Sequence, residues 1–249
     1  MNALPNNARV VIVGGGVVGC SVAYHLALRG CTDVVLLERK QLTCGTTWHA
    51  AGLVGQLRAT HNLTRLAQYT TNLFKTLEQV TGQATGFQQR GSVAVAPNEE
   101  RFEELKRGAS MARVFGLDVN IVSPKEIAEL LPLARVDDLV GGVHLPNDGV
   151  VNPIDTTQAL AKGARSHGVK IFENVKVDSI IVKDGRAVGG KTTSGDGSQT
   201  KTEISAEYVV NCAGMWAREL AAMAGAVGPW HAAEHCDIVT EGGGGGSPD

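Results

Sequence analysis

Long apolar runs are missing from this chain. No stretch approaches the roughly 18 uninterrupted apolar residues of a membrane-spanning helix, so no membrane segment is expected. Charge of one sign is also scarce. The net charge of −2 offers no electrostatic case for binding nucleic acid or an anionic membrane surface. Cysteines number five (20, 31, 44, 212 and 236), odd, widely spaced and without a C-x-x-C pair. That pattern speaks against a disulfide framework or a zinc site and for reduced thiols, in a bacterial cytoplasm or, alternatively, a mitochondrial matrix. Met1–Ala8 is short, polar and uncharged, which fits neither a signal peptide nor a transit peptide. What the chain does have is core-forming material. Over 249 residues, 43% are hydrophobic and only 19% charged, enough for one large domain or one and a half.

The most informative stretch is Arg9 to Arg39. Arg9-Val-Val-Ile-Val13 reads as a strand buried on both faces of a parallel sheet. It stops at Gly14-Gly-Gly16, and an amphipathic helix is expected from Val17 to Arg29. Gly14, Gly16 and Gly19 stand at G-x-G-x-x-G spacing, and Asp33-Val-Val-Leu-Leu-Glu38 reads as a second buried strand closing in a carboxylate. Each part has a physical role. Gly14 permits the tight turn, Gly16 lets backbone N–H groups approach a pyrophosphate, and Gly19 lets the helix lie close on the sheet. Glu38 is placed to accept hydrogen bonds from a ribose hydroxyl, and its charge disfavours a 2′-phosphate although Arg39 and Lys40 follow. The pattern is that of a dinucleotide site, for FAD or NAD.

Leu42-Thr-Cys-Gly-Thr-Thr-Trp-His-Ala-Ala-Gly-Leu53 has no clean period and reads as an extended loop along a ligand. Helices are expected over 62–81 (Leu63, Leu66, Tyr69, Leu73 and Leu77 at helical spacing), 99–115, from Ser123-Pro-Lys-Glu126, and over 155–167. Strands are expected at 90–96 and 140–145. Beyond Lys170 come short strands at 170–172, 175–182, 186–188 and 201–205, with a hairpin turn at Asp184-Gly185 and a polar tip over 193–199. Tyr208-Val-Val-Asn211 then reads as a last buried parallel strand running into Cys212-Ala-Gly214. The predicted fold class is therefore α/β: a Rossmann-like parallel sheet with a three-stranded β-meander, plus part of a substrate domain. A βαβ start, a meander and a final parallel strand resemble the FAD domain of glutathione-reductase-like and D-amino-acid-oxidase-like flavoproteins. A strand is expected to begin within 231–240, and Glu241–Asp249 is low-complexity, expected as a flexible tail.

Four stretches together, Val11-Ile-Val-Gly-Gly-Gly16, Leu42 to Gly52, Asn211-Cys-Ala-Gly-Met-Trp216 and His231-Ala-Ala-Glu-His235, resemble the dimethylglycine and sarcosine dehydrogenase family over nearly the whole chain. The Thr-Thr-Trp-His-Ala-Ala-Gly stretch is the most specific. The resemblance implies FAD carried covalently through His49. It also implies oxidation of a small N-methyl amino acid by hydride transfer to flavin N5, and an electron-transfer flavoprotein as acceptor. His235 is placed as the proton acceptor beside the substrate nitrogen. Glu38 is expected at the ribose with Arg39 nearby, Val177 at the adenine through its backbone, and Ala213 and Gly214 beside the pyrophosphate. Thr46 and Thr47 are expected to donate to phosphate or flavin oxygens. Trp216 reads as core. Arg58 is a candidate for a substrate carboxylate.

The same resemblance divides the chain into 1–55 and 151–230 as two segments of the FAD-binding domain and 56–150 as a partial substrate domain. Residues 231–240 would resume the substrate domain, and 241–249 form the tail. Relatives continue into the rest of the substrate domain and a folate-binding domain, so tetrahydrofolate belongs to a part beyond this chain. The chain departs from the pattern at Cys44, where relatives usually have Ser, and at Cys236-Asp237, where they have an aromatic. The alternative reading is a non-catalytic flavin-binding protein like the regulatory subunit of pyruvate dehydrogenase phosphatase.

Overall fold

The computed structural model describes residues 3–195 and 200–236. In chain order the elements are β1 (Asn7–Val13), α1 (Val17–Leu28), β2 (Val34–Leu37), β3 (Leu53–Val54), α2 (His61–Thr81), β4 (Ser92–Ala96), α3 (Glu99–Val114), β5 (Asn120–Val122) and α4 (Pro124–Leu130). They continue with β6 (Gly141–Leu145), β7 (Gly149–Val150), α5 (Pro153–Ser166), β8 (Lys170–Phe172), β9 (Val175–Lys183), β10 (Arg186–Ser194), β11 (Lys201–Asn211) and α6 (Ala217–Met223).

Six strands form one mixed sheet in the order β8-β2-β1-β11-β10-β9. Its first four are parallel and its last three an antiparallel meander. The continuous apolar runs Val10–Val13 and Val34–Leu37 present apolar side chains to both faces, which explains why the parallel half is buried on both sides. Val10, Ile12, Val34 and Leu36 face one way, where α1 and α5 cover them with Ala23, Tyr24, Leu160 and Ala164. Val11, Val13, Val35 and Leu37 face the other way and pack with Val175, Ile204 and Leu220. Both helices are secured at their ends by local chemistry. The Asn152 side chain accepts from Ile154 N–H (3.0 Å) and Asp155 N–H (3.3 Å) at the start of α5, and Gly30 takes φ +81° after α1.

Two of the expected strands differ in extent. The strand expected over 186–188 is longer than its apolar residues indicate. β10 continues through Gly189-Gly190 with a bulge, and Gly189 (φ +151°) lies where a Cβ would sit 2.2 Å from Ile204 O. The segments 201–205 and 208–211 are one strand, since Ala206-Glu207 holds nothing that breaks an extended chain. Its first half closes the meander and its second half pairs with β1. The 231–236 segment carries no strand; 237–249 and the 196–199 part of the polar tip lie outside the described residues.

A second, three-stranded sheet, β4-β6-β5, lies in the middle of the chain. α3 packs on it through Ala109 and Ala112 with Val143 and Leu145. Its strand β5 was missed by sequence, being only three residues long. α4 starts with the expected capping box between Ser123 and Glu126. β3 and β7 form a short antiparallel pair. Among the described residues no helix is long and apolar enough to cross a membrane.

Candidate cofactor cleft

The ends of β1, β2 and β11 meet at the glycine turn. Gly14 N–H donates to Leu37 O (2.9 Å), and Cys212 N–H donates to Val13 O (2.9 Å). Gly14 has φ +114°, and a Cβ there would lie 2.2 Å from Cys212 O, so only glycine fits. A Cβ on Gly19 would lie 2.0 Å from Gly14 O, which shows how closely α1 presses on the turn. Gly16 is the residue before α1, extended at ψ −179°, and the first turn of α1 carries no acidic side chain. Val17 N–H donates to Thr47 Oγ1 (3.0 Å). Among the described residues nothing accepts from the N–H groups of Gly16 and Val18. A helix start with free donors and no acidic side chain in its own first turn suits an anion.

Glu38 closes β2. Its buried carboxylate accepts from Gly15 N–H (2.7 Å) and Lys40 N–H (2.9 Å), which ties the glycine turn to the strand end. A carboxylate offers about four lone-pair directions, so acceptor capacity remains beyond these two bonds. Asn174 and Val175 donate backbone N–H groups to Lys40 O and Glu38 O (2.8 Å each), bringing the start of β9 against this corner. Val177 lies two residues further along β9, half-buried against the second core face and outside the cleft. The exposed Arg39 rests over the ring of Trp216, 3.7 Å from its centroid.

The stretch expected as an extended loop contains a single 3-10 turn, Thr46–His49. This turn holds three of the expected residues beside the helix start. Thr47 caps α1, Thr46 Oγ1 lies 3.7 Å from where a Gly214 Cβ would be, and His49 is exposed with its ring 4.4 Å from that of Trp48. Gly214 takes φ +58°, and the preceding Ala213 N–H donates to Asn211 Oδ1 (3.2 Å).

Beyond the turn opens a cleft of about 1390 Å³. Thr46, Thr47, His49, Glu234 and His235 all line it. Gly14, Gly16, Gly19, Glu38, Ala213 and Gly214 build the corner behind this wall. The apolar floor comes from α2, and sequence reasoning missed it. Leu63 and Leu66 are more than half exposed and line the cleft, whereas Phe74 touches the cleft from the edge of the core. The signal was present in the helical spacing, which identifies an apolar face without saying what it meets. Trp216, read as core, is 38% exposed and lines the cleft under Arg39. A cleft this size exceeds the roughly 300–1,000 Å³ of typical small-molecule sites. With the glycine cradle, the free helix N–H groups and an acidic strand end, the residues present fit an extended dinucleotide such as FAD.

The model of the FAD dependent oxidoreductase family DAO matches residues 9–243. The chain belongs to this family of FAD-dependent oxidoreductases. Within it, the chain is 41% identical over 243 residues to mitochondrial sarcosine dehydrogenase of Homo sapiens, covering 96% of this chain and 26% of that one. It is likewise 41% identical over 240 residues to the mitochondrial pyruvate dehydrogenase phosphatase regulatory subunit of Mus musculus, with the same 96% and 26% coverage. The chain thus spans about a quarter of the length of these relatives. Among solved structures, L-proline dehydrogenase from P. horikoshii superposes with a TM-score of 0.82 at 27% identity, over 89% of this chain and 57% of that one. The fold expected from sequence, a parallel α/β sheet of the FAD-oxidoreductase type, is the fold observed.

Proposed function

We propose that this DAO-family chain is the FAD-holding part of an oxidoreductase acting on the N-methyl group of a small amino acid, of the sarcosine or dimethylglycine type. The observation that carries this reading is the meeting of Thr47, His49 and His235 in one cleft at the N-terminus of α1, where the Thr47 hydroxyl accepts from Val17 N–H. Gly14, Gly16 and Gly19 leave room for the pyrophosphate, with Ala213 and Gly214 alongside and Thr46 and Thr47 as hydroxyl donors. Glu38 holds the ribose, Arg39 lies next to it on Trp216, and the Val177 backbone meets the adenine. His49 is the covalent tether. FAD, when bound, supplies the two-electron acceptor for the hydride lost from the substrate methyl C–H bond. His235 takes the proton from the amine nitrogen, leaving the lone pair that drives the hydride off. The apolar side chains of α2 keep water from the reacting carbon. The resulting iminium is hydrolysed to formaldehyde and the demethylated amine, or its one-carbon unit is passed to tetrahydrofolate in a part beyond this chain. An electron-transfer flavoprotein is the proposed acceptor. The segments 1–55 and 151–230 form the cofactor domain and 56–150 part of the substrate domain. All five cysteines are free thiols, which supports a reducing compartment, bacterial cytoplasm or mitochondrial matrix.

The test is anaerobic addition of sarcosine or dimethylglycine to the FAD-loaded chain. Loss of the visible flavin band supports the reading. Retained FAD with no bleaching by any N-methyl amino acid refutes it, and favours the second reading, a non-catalytic flavin protein. That reading is supported by the 41% identity to the mouse phosphatase regulatory subunit.

A further inference from the structure

We infer that Glu173 is a positioning residue for the cofactor cleft, whose carboxylate keeps the loop carrying Thr47 and His49 in the place that receives FAD; this rests on the FAD-binding reading above. Glu173 follows β8 directly, and its side chain is partly exposed. Oε1 accepts from Leu42 N–H (2.7 Å). The residues around it join the same loop through backbone alone. Glu38 N–H donates to Phe172 O (2.9 Å), Asn174 N–H to Lys40 O (2.8 Å) and Val175 N–H to Glu38 O (2.8 Å). Among the described residues, Glu173 supplies the side-chain bond of this seam and reaches farthest along the loop. Arg165 Nη2 lies 3.9 Å from Oε2, a long and largely exposed pair that contributes little. What Glu173 provides is an acceptor at Leu42.

Leu42 in turn bears on the glycine turn. Its side chain is buried, with Cδ2 2.6 Å from where a Gly15 Cβ would lie. The next residue, Thr43, donates its N–H to Gly15 O (3.0 Å), while Gly15 N–H donates to Glu38 Oε2 (2.7 Å), so Gly15 is gripped from both sides. Thr43 takes φ +73°, a left-handed conformation that β-branched residues disfavour. Such a residue keeps that conformation only where its surroundings over-determine it. Thr43 O accepts from Trp48 N–H (3.3 Å) across the 3-10 turn, and Thr47 of that turn accepts from Val17 N–H (3.0 Å). One series of contacts thus runs from Glu173 through Leu42 and Thr43 to the start of α1 and to His49. Without the bond at Leu42, the strain at Thr43 favours release of the loop. FAD must then re-form it on binding, and its apparent affinity falls with the fraction of chains in the receptive form.

The experiment is FAD titration of the flavin-free chain, followed by flavin fluorescence, in a His49→Ala background that removes the proposed tether and keeps binding reversible. Glu173→Asp keeps the charge but is one methylene too short to reach Leu42 N–H. Glu173→Gln keeps the reach and an acceptor oxygen and loses the charge. Glu173→Asp is expected to weaken FAD binding roughly 3- to 10-fold, the scale of one hydrogen bond. It should also speed hydrogen exchange over residues 40–48 of the flavin-free chain. Glu173→Gln and Arg165→Ala should leave both readouts near those of the background chain. Circular dichroism shows that each variant folds. Faster exchange with unchanged FAD affinity would overturn the inference. So would equal losses in the Asp and Gln variants, or a Glu173→Asp chain unchanged in both readouts. A wild-type chain that takes up no FAD would sink the cofactor reading itself, and this inference with it.

Discussion

Glycine-to-alanine substitutions at three helical positions should have opposite signs, and the difference tests how the cofactor corner is built. In an open helix, Gly→Ala stabilises by about 0.5–1 kcal/mol because alanine has less backbone freedom to lose. Gly108 in α3 meets that condition, since the nearest heavy atom to an added Cβ is 4.0 Å away. At Gly163 in α5 a Cβ would approach Tyr24 Cε2 to 2.6 Å, and the ring is itself buried. At Gly19 in α1 the obstacle is backbone, with Gly14 O at 2.0 Å and Cys212 Cβ at 3.4 Å. Helix and turn must separate by about 1 Å, which close packing opposes; such overpacking costs about 1–3 kcal/mol. Because no side chain can rotate away, Gly19→Ala belongs at the upper end and should be destabilised by about 2 kcal/mol net, or roughly 4–8 °C in Tm for a chain of this size. Gly163→Ala should fall between, near ~1 kcal/mol destabilised. Gly108→Ala should gain about 1–3 °C. Thermal unfolding followed by circular dichroism ranks the three. A Gly19→Ala protein as stable as wild type would refute the close contact between α1 and the glycine turn. A Gly108→Ala protein destabilised as much as Gly19→Ala would refute the packing argument itself.

Other consequences follow from single contacts. Thr47→Val removes the acceptor for Val17 N–H, and should cost about 1 kcal/mol in urea unfolding while Thr47→Ser retains most of it. Equal losses in both variants would show that the methyl and not the hydroxyl matters. Burial pushes the Cys20 thiol from 9.0 up to about 12. The unfolded thiol ionises first, so stability is lost as pH rises from about 9 towards 12, with a slope approaching ~1.4 kcal/mol per pH unit from this group. In Cys20→Ala the urea midpoint should fall less steeply over that range; an unchanged slope would contradict the burial. At neutral pH the exposed Cys44 and Cys236 should react with a thiol reagent while Cys20 stays protected. Ser123→Ala removes half of the α4 capping box and should cost about 1 kcal/mol, with FAD content unaffected.

Much of this was legible in the chain because local chemistry decides it. The glycine spacing, the paired apolar strands and Glu38 define the cofactor corner within one βαβ unit, where sequence distance is short and each residue's constraint is steric. The capping signal at Ser123 likewise acts over three residues. What could not be read depends on partners far along the chain. Leu63 and Leu66 have core-like spacing, yet they meet a cleft whose other lining comes from residues 44–55, 151–156, 215–216 and 232–236. Trp216 looked like core because a large apolar ring usually is; its partner Arg39 is brought to it only by the pairing of β1 with both β2 and β11. The 3-10 turn at Thr46–His49 is set by Thr47 reaching the start of α1, a contact that no periodicity encodes. The Gly189 bulge hid the length of β10 for the opposite reason, since the glycine that permits it reads as a stop.

The measurement closest to the central claim is made on the purified chain and on His49→Ala. An absorbance scan is followed by a denaturing gel viewed under ultraviolet light after acid treatment. A flavin spectrum with a fluorescent band at 26.1 kDa in the wild type, and a dark band in His49→Ala, is the predicted result. A flavin spectrum with a dark wild-type band would leave the cofactor cleft standing and remove the tether at His49. A chain that stays folded and takes up no FAD even when the cofactor is supplied would contradict the account of the cleft.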